Sequence, residues 1–112
     1  MNILFICSAN IQRSKTAEDY FAEKYPHHNF DSAGTNAKIC HQEGTNYIDN
    51  DMLQWADIIY VMESKHRKKV LEIARGKPFG KIVVLHIPDR FKYFQKELIE
   101  ILVEKITIFT GK

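Results

Sequence analysis

The chain opens on an unbroken apolar run, Ile3-Leu4-Phe5-Ile6, which meets polar residues at Ser8. A run of that length and composition predicts a strand buried on both faces over residues 2–7. Ala17, Tyr20, Phe21 and Tyr25 then recur at helical spacing, predicting a helix over 15–25 that Pro26 stops. Asn29-Phe30-Asp31-Ser32-Ala33 reads as a short second strand ended by Gly34. From Thr35 to Asn50 the pattern fades into polar residues, so this stretch reads as loop or a short irregular helix. One or two helical turns follow over 51–56. Ile58-Ile59-Tyr60-Val61-Met62 predicts a strand from its β-branched and aromatic content. Residues 64–75 predict a helix, with Ser64 as N-cap and Gly76 as its stop. Lys81-Ile82-Val83-Val84-Leu85-His86 predicts a further strand, ended by Pro88. A last helix over 94–109 carries Phe94, Leu98, Ile101, Leu102, Ile106 and Phe109 on one stripe.

Apolar strands separated by helices predict an α/β fold. The expected form is a single-domain, three-layer sandwich over residues 1–112, a four-stranded parallel sheet with helices on both faces. In such sheets ligands bind beyond the carboxyl ends of the strands. Cys7, Met62-Glu63 and Asp89 follow strand ends, so one edge of the molecule collects Cys7, Arg13 and Asp89.

Composition narrows the picture. A length of 112 residues suits one core rather than two. No apolar run approaches the roughly 20 residues of a membrane helix, so no membrane partner is expected. The N-terminus shows no basic n-region or cleavage site, and there are only two cysteines. A reducing cytoplasm with two free thiols is the expectation, with a Cys7–Cys40 disulfide as the alternative. A net charge of +2 gives no reason to expect nucleic acid. Lys65-His66-Arg67-Lys68-Lys69 lacks an aromatic platform and reads as a solvated helix face. The five histidines show no metal spacing, so neither metal nor cofactor is expected.

Candidate chemistry concentrates in Cys7-Ser8-Ala9-Asn10-Ile11-Gln12-Arg13-Ser14. A strand, a short polar loop and a helix N-terminus form a natural anion site. Loop N–H groups from Ser8, Ala9, Asn10, Ile11 and Gln12 to Arg13 could surround three phosphate oxygens, with the Arg13 guanidinium adding charge-assisted bonds. A cysteine at the floor of such a loop is a nucleophile, because thiolates are favoured at helix N-termini beside cations. Ser14 either supports that thiolate or caps the helix. A leaving alkoxide or phenoxide needs a proton, and Asp89 is placed to give it. The plain alternative is a buried Cys7 closing a strand and an Arg13 in a surface ion pair, with Asp89 in a turn. Asp57 reads as a cap or solvent-facing residue. Cys40 reads as a free surface thiol in a polar loop, and Trp55 as core or cleft wall.

With Cys7, Asn10, Arg13 and Ser14 in these places, the stretch resembles the low-molecular-weight protein tyrosine phosphatases. Thr16-Ala17-Glu18, Ser32-Ala33-Gly34-Thr35, Ala56 through Met62 and Asp89-Arg90-Phe91 extend the likeness in order. Short bacterial proteins predicted to be tyrosine phosphatases are most similar in length. The resemblance implies a phosphomonoesterase acting through a phosphocysteine, on a phosphorylated protein or a small aryl phosphate. It implies Cys7 as nucleophile, Arg13 as phosphate clamp, Asp89 as general acid, and Ser14 as thiolate support. It also implies Asn10 and Ser32 as holders of the loop, with Phe91 and Tyr93 flanking the leaving group. Ala9 replaces the family's glycine, Gln12 its second loop cysteine, Lys15 and Arg90 its prolines. The middle of the chain is shorter than in full-length members, where it builds a wall of the substrate cleft. An arsenate reductase of the same fold, a slow phosphate- or phosphotyrosine-binding module, and a cysteine phosphocarrier are the other readings. Oligomeric state is not legible.

Overall fold

The structure, a computed structural model, describes residues 1–77 and 79–109. Four strands, β1 (Asn2–Cys7), β2 (Asn29–Gly34), β3 (Ile58–Val61) and β4 (Lys81–Val84), form a parallel sheet in the order β2-β1-β3-β4. Five helices accompany it: α1 (Arg13–Lys24), α2 (Ala37–Glu43), α3 (Asn50–Trp55), α4 (Ser64–Ala74) and α5 (Lys96–Lys105).

Strand periodicity divides the core in two, because successive side chains leave a strand on opposite faces. Ile3, Phe5, Cys7, Tyr60 and Met62 face Ala17 and Phe21 of α1 and Leu98 and Leu102 of α5. Leu4, Ile6, Ile59 and Val61 face Leu53 of α3 and Val70 and Ala74 of α4. Central β1 is thus covered on both sides, which is why its apolar run is continuous: Ile3 through Ile6 are fully buried. The register sets Ile6 opposite Val61 and Cys7 opposite Gly34, so Cys7 ends at the carboxyl edge.

Several element boundaries differ from the sequence pattern. α1 begins at Arg13, not Lys15, because Thr16 N–H already bonds to Gln12 O at 2.9 Å. The 35–50 stretch holds a real helix, α2, capped by Asn36 and closed by Gly44 in the left-handed conformation. Glu63 rather than Ser64 occupies the N-cap of α4. β4 ends at Val84, since His86 has φ +55° and turns the chain, although Leu85 and Ile87 still donate to Val61 and Met62. Phe94 (φ +59°), Ile106 and Phe109 lie outside α5 yet pack on the first cluster or its rim. Trp55 is neither core nor cleft wall. It is 36% exposed, and its carbonyl bonds to the side chain of Asn2, at the amino end of the sheet. Asp57 accepts the Asn2 N–H at that same end. Among the described residues no helix is long and apolar enough to cross a membrane.

Candidate active site

Where β1 ends, the chain does not run straight into α1 but bends through Ser8–Gln12. Asn10 takes φ +57°, a conformation that asparagine tolerates better than most residues. Its buried side chain then fixes the loop. Nδ2 donates to Ser14 Oγ (2.9 Å) and Ser32 Oγ (2.8 Å), and Oδ1 accepts the Asn46 N–H (3.2 Å). Ser32 in turn donates to Glu18 at 2.6 Å. Since Ser14 Oγ already accepts from Asn10, its own hydrogen is free to point at Cys7 Sγ, 3.0 Å away. A hydroxyl so oriented stabilises a thiolate.

Behind the loop, Gly34 is required by close approach. A Cβ there would lie 2.5 Å from Ser8 O and 2.6 Å from Cys40 Sγ. Thr45 Oγ1 donates to Ala9 O at 2.7 Å. Cys40 is not a surface thiol: α2 buries it completely against the backbone of Ser8 and Ala9. Both cysteines are free.

Arg13 is 1% exposed, so the surface ion-pair alternative fails. Its Nη1 donates to Glu63 Oε2 (2.6 Å) and Ile87 O (2.7 Å). Those bonds hold one edge of the guanidinium. Nε is buried without a hydrogen-bond partner, with Asp89 Oδ1 3.7 Å away. A buried, unpaired guanidinium N–H is costly unless an anion meets it. Burial pushes the Glu63 carboxyl up, but the Arg13 hydrogen bond and charge outweigh this and hold it below the usual carboxylate range.

Cys7, Ala9, Ile11, Gln12, Arg13 and Asp89 line one cavity of about 180 Å³. The Cys7-Arg13-Asp89 set, from two distant parts of the chain, is therefore one constellation. Asp89 stands at its mouth, 60% exposed. The proposed flanking aromatics do not join it. Phe91 is 5% exposed within the first core cluster, with Arg90 stacked over its ring at 5.1 Å. Tyr93 is exposed and gives its hydroxyl to Asp19 at 2.5 Å. Ser8 faces a neighbouring groove with Lys65 and Lys69. Asn10, Ser14 and Ser32 brace the loop from beneath.

Two residues beside the site escaped the sequence pattern. Glu63 holds Arg13, and fully buried His66 contacts Ser8 Oγ through Nε2 (2.9 Å) while Nδ1 accepts the Glu63 N–H (3.0 Å). Burial, reinforced by the charge of Arg13, lowers the His66 pKa to about 4. The available signal was a Glu-x-x-His spacing after a strand, a reciprocal helix-start pattern. Among the described residues no group of three His, Cys, Asp or Glu could hold a metal ion.

Comparison with known proteins gives this geometry a context. Residues 2–50 match the model of the low molecular weight phosphotyrosine protein phosphatases. The chain resembles that family in sequence there and in fold throughout. The tyrosine phosphatase AmsI of Erwinia amylovora superposes with a TM-score of 0.73 at 23% identity, over 93% of this chain and 87% of that one. A low molecular weight phosphotyrosine phosphatase of Vibrio cholerae O395 gives 0.74 at 18%, over 99% and 95%. A variant of the arginine phosphatase YwlE, a Bacillus subtilis protein, carries a phosphorylated active-site serine; it gives 0.65 at 20%, over 91% of each chain. These likenesses show a shared fold. No curated protein sequence matches the chain.

Proposed function

We propose that this chain is a cysteine-dependent phosphatase that cleaves phosphomonoesters through a phosphocysteine. The observation that carries the reading is the buried Arg13 guanidinium, with Nε making no hydrogen bond, in the wall of a cavity that also holds Cys7 and Asp89. The family match over residues 2–50 supports it independently. A phosphoryl group in that cavity meets Nε, the free edge of Arg13 and the amino end of α1. Cys7 Sγ attacks phosphorus, an S–P bond forms, and the bond to the leaving oxygen breaks. Protonated Asp89 gives that oxygen its hydrogen. Water then attacks the phosphocysteine, Asp89 takes its proton, and phosphate leaves with the thiolate restored. The Ser14 hydroxyl supports the sulfur in both steps.

Ala9 and Ile11 supply apolar wall to the cavity, which fits an aryl leaving group such as phosphotyrosine or a small aryl phosphate. With Phe91 in the core, no aromatic side chain among the described residues lines this cavity, so free aryl phosphates are expected to bind weakly. Complete burial of Cys40 disfavours the arsenate-reductase reading, whose disulfide cascade needs a reachable second thiol. Two free thiols fit a reducing compartment such as the cytoplasm.

The test is p-nitrophenyl phosphate hydrolysis by wild type, Cys7→Ser, Arg13→Lys and Asp89→Asn. Cys7→Ser abolishes turnover. Arg13→Lys costs on the order of 10²–10³ in kcat, as for loss of an oxyanion donor. Asp89→Asn costs less with p-nitrophenolate than with phenolate, because the better leaving group needs less protonation. A wild type that binds phosphate but turns over neither ester is a binding module. Parallel assays with phosphotyrosine and phosphoarginine peptides decide the leaving group: faster phosphoarginine hydrolysis overturns the aryl preference.

A further inference from the structure

We propose that His66 is a positioning residue for the nucleophile, acting through Ser8, and that with Glu63 it clamps both ends of the phosphate loop to the first turn of α4. The proposal rests on the phosphatase reading above. Its basis is a tautomer that the geometry dictates. His66 Nδ1 faces the Glu63 N–H at 3.0 Å, a donor that cannot reverse, so Nδ1 is the acceptor. The ring hydrogen therefore sits on Nε2 and points at Ser8 Oγ, 2.9 Å away. Ser8 directly follows Cys7, and its carbonyl accepts the Asn36 N–H at 2.9 Å. At the loop's other end, Glu63 Oε2 accepts from Arg13 Nη1 at 2.6 Å.

One helical turn thus fixes the residue after the nucleophile and the phosphate-binding arginine together. The turn is itself anchored, because His66, Val70 and Ala74 of α4 are buried. A rigid ring with an acceptor on one side and a donor on the other is what this span requires. No other neutral side chain offers both at that separation with so few rotamers.

A residue that merely caps α4 and one that also holds Ser8 are separable by substitution. In His66→Asn the amide oxygen can still accept the Glu63 N–H, but the shorter side chain cannot reach Ser8. The expected result is an unfolding temperature close to wild type, with kcat/KM for p-nitrophenyl phosphate lowered about 10- to 100-fold, the scale of roughly 1 Å misplacement. Inactivation by iodoacetate, an anion that alkylates Cys7 from within the cavity, slows in proportion. Ser8→Ala shows the same two losses, and the double variant is no worse than either single one. Wild-type kcat/KM and iodoacetate rates in His66→Asn overturn the proposal, as do losses that multiply in the double variant. If His66→Asn fails to fold, Ser8→Ala alone decides by the same readouts. A wild type that hydrolyses no ester overturns the phosphatase reading instead, and the iodoacetate rates still decide the role of His66.

Discussion

Asn10 bears the shape of the loop more than any other side chain. It takes a left-handed backbone and three hydrogen bonds to three separate segments. Asn10→Ala loses all three and leaves buried Ser14 and Ser32 short of a donor, which costs about 2–4 kcal/mol when each bond is worth roughly 1. Urea unfolding measures the loss, and p-nitrophenyl phosphate turnover falls with it. Gly34→Ala probes the same loop from behind. One close neighbour of the new methyl is the Sγ of Cys40, the other the backbone oxygen of Ser8. The loop must shift, at about 1–3 kcal/mol for overpacking, and catalysis drops. Cys40→Ala removes only the sulfur contact, so it does not rescue Gly34→Ala; full rescue would contradict the backbone clash. At this scale the sequence was informative where chemistry constrains residue type. Cys7, Arg13 and Asp89 are named by what a phosphoryl group needs, and the cavity holds all three. Phe91 was misread because an aromatic residue near an acid suits core and cleft equally, and only tertiary packing chooses between them.

Elements show which patterns reach the sequence and which do not. β1 and β3 were legible because burial on both faces leaves continuous apolar runs. α2 was not, since Cys40 is its only buried residue and a seven-residue helix with one buried position has no amphipathic period. Its Asn36 cap and Gly44 stop were the sole cues. α4 was legible as a helix, but its basic sequence hid the buried ring in its first turn. That ring makes α4 sensitive to acid. His66 sits beside Arg13, Glu63, Lys65 and Asp89, and its pKa falls from 6.5 to about 4. The unfolded chain therefore takes up a proton near pH 6.5 that the folded chain refuses until about pH 4. Between those values the unfolded state binds more protons, so stability rises with pH. The full contribution is present above pH 6.5, and up to about 3 kcal/mol is lost as the pH falls to 4. Urea midpoints from pH 7 to 4 should show this slope, and His66→Asn should flatten it. An unchanged slope in that variant would assign the acid sensitivity to other groups.

Across the whole molecule, the candidate site and the largest aromatic cluster occupy opposite ends. Cys7, the loop and Asp89 gather at the carboxyl edge of the sheet. Phe109 packs at the far end of α1, with ring centroids 4.6 Å from Tyr25, 5.3 Å from Phe21 and 5.6 Å from Phe30. Helix α1 has 12 residues, so its start at Arg13 and its end near Tyr25 lie about 18 Å apart. Phe5 links the two regions. Its ring stacks on Phe21, Phe30 and Tyr60, and it lies two residues before Cys7 on the same face of β1. Distance and bridge make contrasting predictions. Phe109→Ala exposes the outer rings and costs about 1–3 kcal/mol, a drop of about 4–18 °C in Tm for a domain of this size. Below the transition its kcat and KM should match wild type, because nothing it touches reaches the loop. Phe5→Ala hollows the strand that carries Cys7, at about 3–5 kcal/mol, and should lower kcat even at temperatures where the protein remains folded. Calorimetry paired with p-nitrophenyl phosphate kinetics at 15 °C distinguishes them. A kcat loss in Phe109→Ala at full folding would mean that the aromatic end and the Cys7 edge are coupled through Phe5, against their predicted separation.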